Sequence, residues 1–311
     1  MASLERGQNS GLNVAIFCCC NEMGSIWEQE GFPQLKDYRL VCYFALAFPM
    51  ARFVLDIYIF QAFARWLTSP PEKKFTSFLK SVEKKKMLKV TESMWKLTYY
   101  VSSLVFAFVV TYKEPWFGRT DTFWHGWPNQ SIKFQLKVFY TFQCGFYIYS
   151  VAALLVWETR RKDFNVMMTH HILTIGLIAF SYITGSFRVG SIVVALHDVT
   201  DVLLESAKLC KYAGKELEAS FLFAVFALSW LILRLIYFPF WIIWSTSIEV
   251  ISYIDTSTPM TKKLYYMFNT LLISLLVIHL YWWILIFRMI QKQLQNKGKV
   301  GDDVRSDSDI E

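Results

Sequence analysis

The sequence predicts an all-α polytopic membrane protein with about seven transmembrane helices (six to seven), and three observations support this class. Of the 311 residues, 54% are apolar and only 18% are charged, which is below the ~25% charged residues usual in soluble domains. Apolar runs recur along the chain, and about twenty apolar residues cross a bilayer core of roughly 30 Å. Basic residues alternate between rich and poor loops, as they do on opposite sides of a membrane.

Apolar windows predict the individual spans. The seven windows cover residues 40–63, 95–112, 133–157, 166–186, 189–208, 219–245 and 264–288. The first is interrupted by Pro49, Arg52 and Asp56, and the i,i+4 spacing would allow Arg52 to pair with Asp56 on one helix face. Residues 1–38 are too charged for a secretory signal, so we expect the first apolar helix to act as the targeting signal.

The loops predict the orientation of the spans. The 64–94 loop carries eight Lys and Arg residues, whereas the 113–132 loop carries two. Basic loops stay in the cytosol, which puts the N-terminus in the lumen and the C-terminus in the cytosol, as seven spans require. The net charge of +7 is therefore explained by cytosolic loops and does not require a nucleic-acid partner.

These spans and loops divide the chain into five parts. They are a lumenal N-terminal segment (1–38), a first transmembrane helix (39–66), a cytosolic basic linker (67–91), a membrane domain (92–290) and a cytosolic, acidic, disordered tail (291–311). Ser306 and Ser308 in the tail each precede an acidic residue by three positions. They are candidate sites for an acid-directed kinase, and a solvated tail with no switch is the alternative.

Ionisable side chains inside two adjacent spans are the candidates for function, because charge is costly to bury in a bilayer. Span four carries His170 and His171, and span five carries His197, Asp198 and Asp201. The connection between these spans is so short that they are expected to form an antiparallel hairpin. At about 1.5 Å per residue, the five side chains fall in one layer, roughly 10–15 Å in from the cytosolic loops.

Helical spacing predicts which of these side chains face each other. Asp201 is i,i+3 from Asp198 and i,i+4 from His197, so the three can share one face. His170 and His171 are about 100° apart, so we do not expect both to face one point. A histidine can act as base or nucleophile, and a carboxylate beside it fixes its tautomer. The pattern favours acyl transfer on a lipid, with the acyl group in an apolar tunnel.

The same residues could also serve a metal site, transport or a structural role. The five histidines (His125, His170, His171, His197 and His279) have no HxxxH or HxxH spacing, and the six cysteines form no CxxC pair. A di-iron or zinc site is therefore not expected. A single ion held by His and Asp, a transporter or proton relay, and a purely structural network stay open. His279 lies at a similar depth in span seven, and Arg234 lies deep in span six without an evident partner.

The stretch from Glu158 to Tyr212 resembles the signature motif of the longevity-assurance ceramide synthases, which belong to the TRAM-LAG-CLN8 (TLC) domain superfamily. The matching pieces are Trp157 to Asp163, His170-His171 with Thr174, Ser181-Tyr182, Phe187 to Ser191, His197-Asp198 with Asp201, and Glu205 with Lys208 and Tyr212. Flanking matches are Glu114 to Phe117, Gly145 to Tyr147 and Leu233 to Trp241. The likeness covers roughly residues 90–290 and is most similar to plant members.

The resemblance implies a TLC-domain helical barrel around a lipid cavity in the endoplasmic reticulum membrane. It implies N-acylation of a sphingoid long-chain base, sphinganine or phytosphingosine, by a fatty acyl-CoA to give (dihydro)ceramide. Acyl-CoA would be a co-substrate, with no permanently bound cofactor or metal and no nucleic acid. The cytosolic Lys and Arg residues offer a docking surface for the CoA phosphates. Homo- or hetero-oligomers, and a nonenzymatic TLC-domain lipid sensor or transporter, are the open alternatives.

The resemblance also implies site residues. His170, His171, Asp198 and Asp201 match the residues required for activity in the family. We expect His170 to act as nucleophile or general base with support from Asp198 or Asp201. The candidate substrate-binding residues are His197, Arg188, Tyr182 and His279.

Overall fold

A computed structural model describes residues 26–68, 77–254 and 258–296 of the chain. Most of the described chain is helical. The helices are α1 (Tyr38–Leu55), α2 (Gln61–Thr68), α3 (Ser77–Thr111), α4 (Phe134–Val156), α5 (Phe164–Ile183), α6 (Phe187–Tyr212), α7 (Glu216–Trp230), α8 (Trp244–Ser247) and α9 (Pro259–Gln295). Two π-helical stretches, Asp56–Phe60 and Leu231–Ile243, continue α1 into α2 and α7 into α8. The predicted all-α class is confirmed.

The remaining regular structure is small. Three 3₁₀ turns occupy Leu35–Asp37, Thr120–Thr122 and Glu249–Ser252. Two strands, β1 (Glu30–Gly31) and β2 (Ile132–Lys133), pair antiparallel with Glu30 opposite Lys133.

Among the described residues, six helical stretches are long and apolar enough to cross a membrane. They are Leu35–Leu67, Lys84–Thr111, Phe134–Val156, Phe164–Ile183, Glu216–Ser252 and Pro259–Gln295. The remaining predicted span, 189–208, is α6, whose 26 residues reach about 39 Å at the helical rise. Its charged residues lower its hydropathy, and it packs inside the bundle against α3 and α7, so the expected number of six to seven is confirmed.

Six helical units form a ring. Contacts run from α3 to α6, to α7 with its π-helical continuation, to α9, to α5, to α4 and back to α3. Helix α1 lies outside the ring against α4. Helix α3 begins at Ser77, so the second half of the predicted 67–91 linker is continuous with a span; the limits of the five parts stay predictions.

The predicted hairpin of α5 and α6 is confirmed, and its turn has a clear cause. The N–H of Ser186 donates to the carbonyl of Ser181 at 2.8 Å, and Gly185 has φ +74°. This is the glycine-dependent helix stop in which a left-handed residue closes the last turn. A Cβ at Gly185 would also meet the Pro128 carbonyl oxygen at 2.9 Å.

Arg52 and Asp56 have other partners than each other. Arg52 donates to the Tyr149 hydroxyl at 3.0 Å and lies 3.9 Å from the Glu158 carboxylate. Asp56 instead accepts a hydrogen bond from Gln61 at 3.0 Å. Helical spacing allowed the pair, but Asp56 lies in a π-helical turn and Arg52 points toward the neighbouring α4.

The two ends of the ring, which we call the mouth end and the closed end, carry different loops. The mouth end carries the α4–α5 loop (157–163) and the α6–α7 loop (213–215). The closed end carries the α5–α6 turn (184–186) and the segment 112–133.

Candidate active site

A cavity of about 810 Å³ lies inside the ring and reaches the surface at the mouth end. All six ring units line it. Its basic lining residues are Lys85, Lys86, Lys89, Lys96, Arg160, Arg161, Lys208, Lys211 and Arg234. Deeper in, aromatic and aliphatic side chains surround His170, His171 and Asp201. A polar, positively charged entrance thus leads to an apolar chamber with a few polar groups, the usual composition of a small-molecule site.

His170 and His171 both line this cavity, contrary to the expectation that they would not face one point. Their ring centroids are 5.6 Å apart, and both side chains are buried. Adjacent residues of the helix point about 100° apart, so the two rings lie apart, but the cavity is wide enough to contact both. The Nδ1 atoms of both rings are buried without a hydrogen-bond partner among the described residues.

His197 and His279 form a pair behind His170. Their Nε2 atoms are 2.9 Å apart, and His197 Nδ1 lies 2.6 Å from the Val193 carbonyl oxygen. The ring of His170 is 6.2 Å from that of His197 and 6.5 Å from that of His279. His197 lines a separate apolar cavity of about 30 Å³ toward the closed end. Four of the five histidines therefore cluster, although they come from three helices.

Asp198 and Asp201 have different surroundings, although their helical spacing lets them share one face with His197. Asp198 is fully buried and accepts hydrogen bonds from Ser103 at 2.5 Å and from Gln143 at 3.3 Å. Asp201 lines the cavity and pairs with Arg234 at 3.1 Å. The carboxylates thus point to different helices, and these bonds do not reach an imidazole.

Arg234 is a site residue that sequence analysis noticed but could not assign. It is only 2% exposed, and its guanidinium lies 4.1 Å from the centre of the Trp230 ring. It also donates to the His197 carbonyl at 2.9 Å. Its partner Asp201 is on another helix, so no spacing rule within one helix could have found the pair.

Tyr182 and Arg188 lie at the closed end, away from the cavity. Tyr182 donates to Asp37 at 2.5 Å. Arg188 donates to the backbone carbonyls of Thr122 and His125 at 3.0 and 3.1 Å. The structure does not bring either residue to the histidine cluster. Ser306 and Ser308 lie outside the described residues.

An acidic clamp holds the mouth end together. Glu158 accepts a hydrogen bond from Lys96 at 2.8 Å. Burial raises the pKa of this carboxyl, but the charges of Lys96 and Arg52 outweigh burial and leave the pKa below its ordinary value. Next to it, Glu92 accepts hydrogen bonds from the backbone N–H and the hydroxyl of Thr159 at 3.2 and 3.1 Å. The clamp connects α3 to the α4–α5 loop.

The described residues contain no group of three or more His, Cys, Asp or Glu side chains arranged to hold a metal ion. The cavity's own side chains supply imidazoles, a basic entrance and several carboxylates, of which Glu158, Asp201 and Glu205 are ion-paired.

Comparisons with known proteins identify the family. A family model of the TLC domain matches residues 89–288. The chain is 50% identical over 293 residues to "Ceramide synthase LOH2" of Arabidopsis thaliana, covering 92% of this chain and 99% of that protein. It is 50% identical over 292 residues to "Ceramide synthase 1 LOH3" of the same plant (92% and 95% covered). It is 51% identical over 274 residues to "ASC1-like protein 3" of Oryza sativa subsp. japonica (88% and 96% covered). The chain therefore belongs to the TLC-domain family, and its resemblance to plant ceramide synthases is confirmed over most of its length.

Proposed function

We propose that this chain is a ceramide synthase that transfers an acyl group from a fatty acyl-CoA to the amino group of a sphingoid long-chain base. The observation that carries the proposal is one cavity with a basic entrance and buried histidines at its apolar inner end. The CoA phosphates would bind the basic entrance through charge-assisted hydrogen bonds, and the thioester would reach the histidines. Relatives named ceramide synthases support this substrate pair.

His170 is the proposed nucleophile or general base. It is buried and lines the cavity, and beside the other histidines its neighbours include Trp282 at 5.1 Å and Tyr147 at 6.5 Å between ring centroids. As nucleophile, its ring nitrogen would attack the thioester carbonyl, and the C–S bond would break with loss of CoA thiolate. The amine would then attack the acyl-imidazole carbonyl, lose a proton and free the imidazole. As general base, it would take the proton from the amine directly.

We further propose that the mouth end faces the cytosol in the endoplasmic reticulum membrane. The mouth end holds the basic entrance to the cavity, and Lys- and Arg-rich loops stay on the cytosolic side. Acyl-CoA is water-soluble at its CoA end and would enter from that side. The N-terminus would then be lumenal and the C-terminus cytosolic.

A microsomal assay with palmitoyl-CoA and sphinganine tests the proposal. We expect His170→Ala to lower ceramide formation by about 100-fold or more, the size of contribution made by an acid–base group. Asp198→Ala should also lower it strongly, because Ser103 and Gln143 lose the buried carboxylate to which they donate. His125→Ala is the matched control, because this exposed histidine lies at the closed end, and its activity should stay within about twofold of the parent. Ceramide formation unaffected by both site changes would contradict the assignment and favour a lipid sensor.

Intact-protein mass spectrometry separates the two roles of His170. Incubation with palmitoyl-CoA alone should give a palmitoyl adduct on the parent and none on His170→Ala if the imidazole is the nucleophile. Ceramide formation without any adduct on the parent would leave His170 as a base.

A further inference from the structure

Arg234 is a buried charge that the proposed reaction does not use. It lies in the π-helical stretch Leu231–Ile243, and such departures from regular α-helix are frequent at functional sites. Three contacts hold it: the Asp201 carboxylate at 3.1 Å, the His197 carbonyl at 2.9 Å and the face of Trp230 at 4.1 Å. The guanidinium is therefore fixed in position and not free to follow a ligand.

Stability alone is a weak reason for this pair. Two charges taken out of water lose hydration free energy that their attraction seldom exceeds, so an apolar pair of similar volume often stabilises as well. The rest of the ring around Arg234 is packed with large apolar side chains, among them Phe238 and Ile242. The presence of Arg234 among them points to a task for the carboxylate that it holds.

Asp201 differs from the other carboxylates that line the cavity. Its side chain is 21% exposed, against 9% for Glu158 and 5% for Glu205. Glu205 is bound to Lys208 at 2.7 Å, and Glu92 is committed to Thr159. Among the described carboxylates that line the cavity, Asp201 is thus the one most open to a ligand, and it shares the cavity with His170.

The amino group of the acyl acceptor is a suitable ligand for the Asp201 carboxylate. A long-chain amine is largely an ammonium ion near neutral pH, and a carboxylate binds it through a short charge-assisted hydrogen bond. A lone carboxyl group in an apolar site takes up a proton and becomes neutral. It can then no longer bind an ammonium ion through its charge. A fixed guanidinium on one carboxylate oxygen opposes this uptake of a proton, because its positive charge favours the ionised form, and it leaves the other oxygen available.

We propose that Arg234 is a positioning residue that holds Asp201 as a cavity-facing carboxylate, so that Asp201 receives the amino group of the acyl acceptor beside His170. This inference rests on the proposed N-acyltransferase function. The two aspartates then have different roles. Asp201 contacts the amine. Asp198 is enclosed by Ser103 and Gln143 and acts through the packing of α6 against α3 and α4.

The test compares the kinetics of the two substrates on the full chain in detergent. Arg234→Met and Asp201→Asn should each raise the KM for sphinganine by about tenfold or more, and the KM for palmitoyl-CoA should stay within about twofold. Arg234→Lys should restore most of the sphinganine affinity, because it returns the charge. A general loss of packing would not change the KM for sphinganine alone, and Arg234→Lys would not reverse it.

Arg52→Gln is the matched control. Arg52 is another largely buried arginine held by a hydroxyl and a carboxylate, but it does not line the cavity, so this variant should lower thermal stability and leave the sphinganine KM unchanged. If Arg234→Met does not fold, the sphinganine KM values of Asp201→Asn and Arg234→Lys still test the inference. An unchanged sphinganine KM in Asp201→Asn, or equal changes for both substrates, overturns the inference. A parent chain that makes no ceramide instead overturns the proposed function.

Discussion

The mouth end and the closed end of the ring both contain buried polar side chains, but they use them differently. At the closed end, Tyr140 donates to the Phe187 carbonyl at 2.8 Å, and Gln130 donates to the Phe123 carbonyl at 2.7 Å. The first bond joins α4 to the start of α6, and the second lies within the segment 112–133. Toward the mouth end, the Nδ1 atoms of His170 and His171 have no partner among the described residues. We infer that the side chains bonded to backbone at the closed end are structural, whereas the unpartnered imidazole nitrogens that face the cavity carry the chemistry.

The acidic clamp is the exception that tests this division, because Glu158 is at the mouth end and yet is fully partnered. We predict that Glu158→Gln lowers stability at neutral pH by about 1.5–3 kcal/mol, the range for hydrogen bonds to charged groups. The midpoint of thermal unfolding in detergent measures this change. Glu28→Gln, at an exposed position, is the control and should not shift the midpoint.

The pH dependence of the same variant has a definite sign. The pKa of Glu158 is lowered in the folded chain, so its contribution to stability is present above the unfolded pKa and is lost as pH falls through the folded pKa. The difference between the parent and Glu158→Gln should therefore shrink in acid. A constant difference across that range would mean that the clamp acts through shape and not through charge.

The basic entrance at the mouth end gives the second test, which concerns the binding of acyl-CoA. We predict that Lys86→Gln combined with Lys89→Gln raises the KM for palmitoyl-CoA by about tenfold, which corresponds to about 1.4 kcal/mol. The effect should weaken as salt is added, because ions screen exposed charges. The KM for sphinganine should not change.

A matched pair at the closed end controls this experiment. Lys113→Gln combined with Lys133→Gln removes the same charge from a region where Lys133 is held by Glu114 at 2.7 Å. The KM for palmitoyl-CoA should remain that of the parent. An equal rise in both double variants would mean that overall charge, and not the entrance, attracts the substrate.

Much of the fold could be predicted from the sequence, because span length and loop charge are local properties. The window 133–157 corresponds to the helix Phe134–Val156, and the hairpin between the helices bearing His170 and Asp201 forms as expected. The residues placed in one layer do lie near one another. Length, hydropathy and turn chemistry are enough for these features.

The side-chain partners could not be predicted, because they depend on how each helix is rotated against its neighbours. A helix that is apolar all round has no hydrophobic face to set that rotation. Asp198 is bound by Ser103 and Gln143, which lie 95 and 55 residues away in the chain. The pair of Arg234 with Asp201 likewise joins two helices, and only the packed structure reveals it.

The smallest expected effect belongs to the closed end and tests whether its polar groups are purely structural. Trp127 Nε1 donates to the Thr184 carbonyl at 2.9 Å, next to the α5–α6 turn. Trp127→Phe keeps an aromatic ring but removes this donor, so we predict a loss of about 0.5–1.5 kcal/mol in stability with unchanged KM values for both substrates. Trp66→Phe, at a position 73% exposed, should change neither quantity. A change in either KM in Trp127→Phe would show that the turn between the two site helices also sets the geometry of the histidines, and the division between the two ends would then fail.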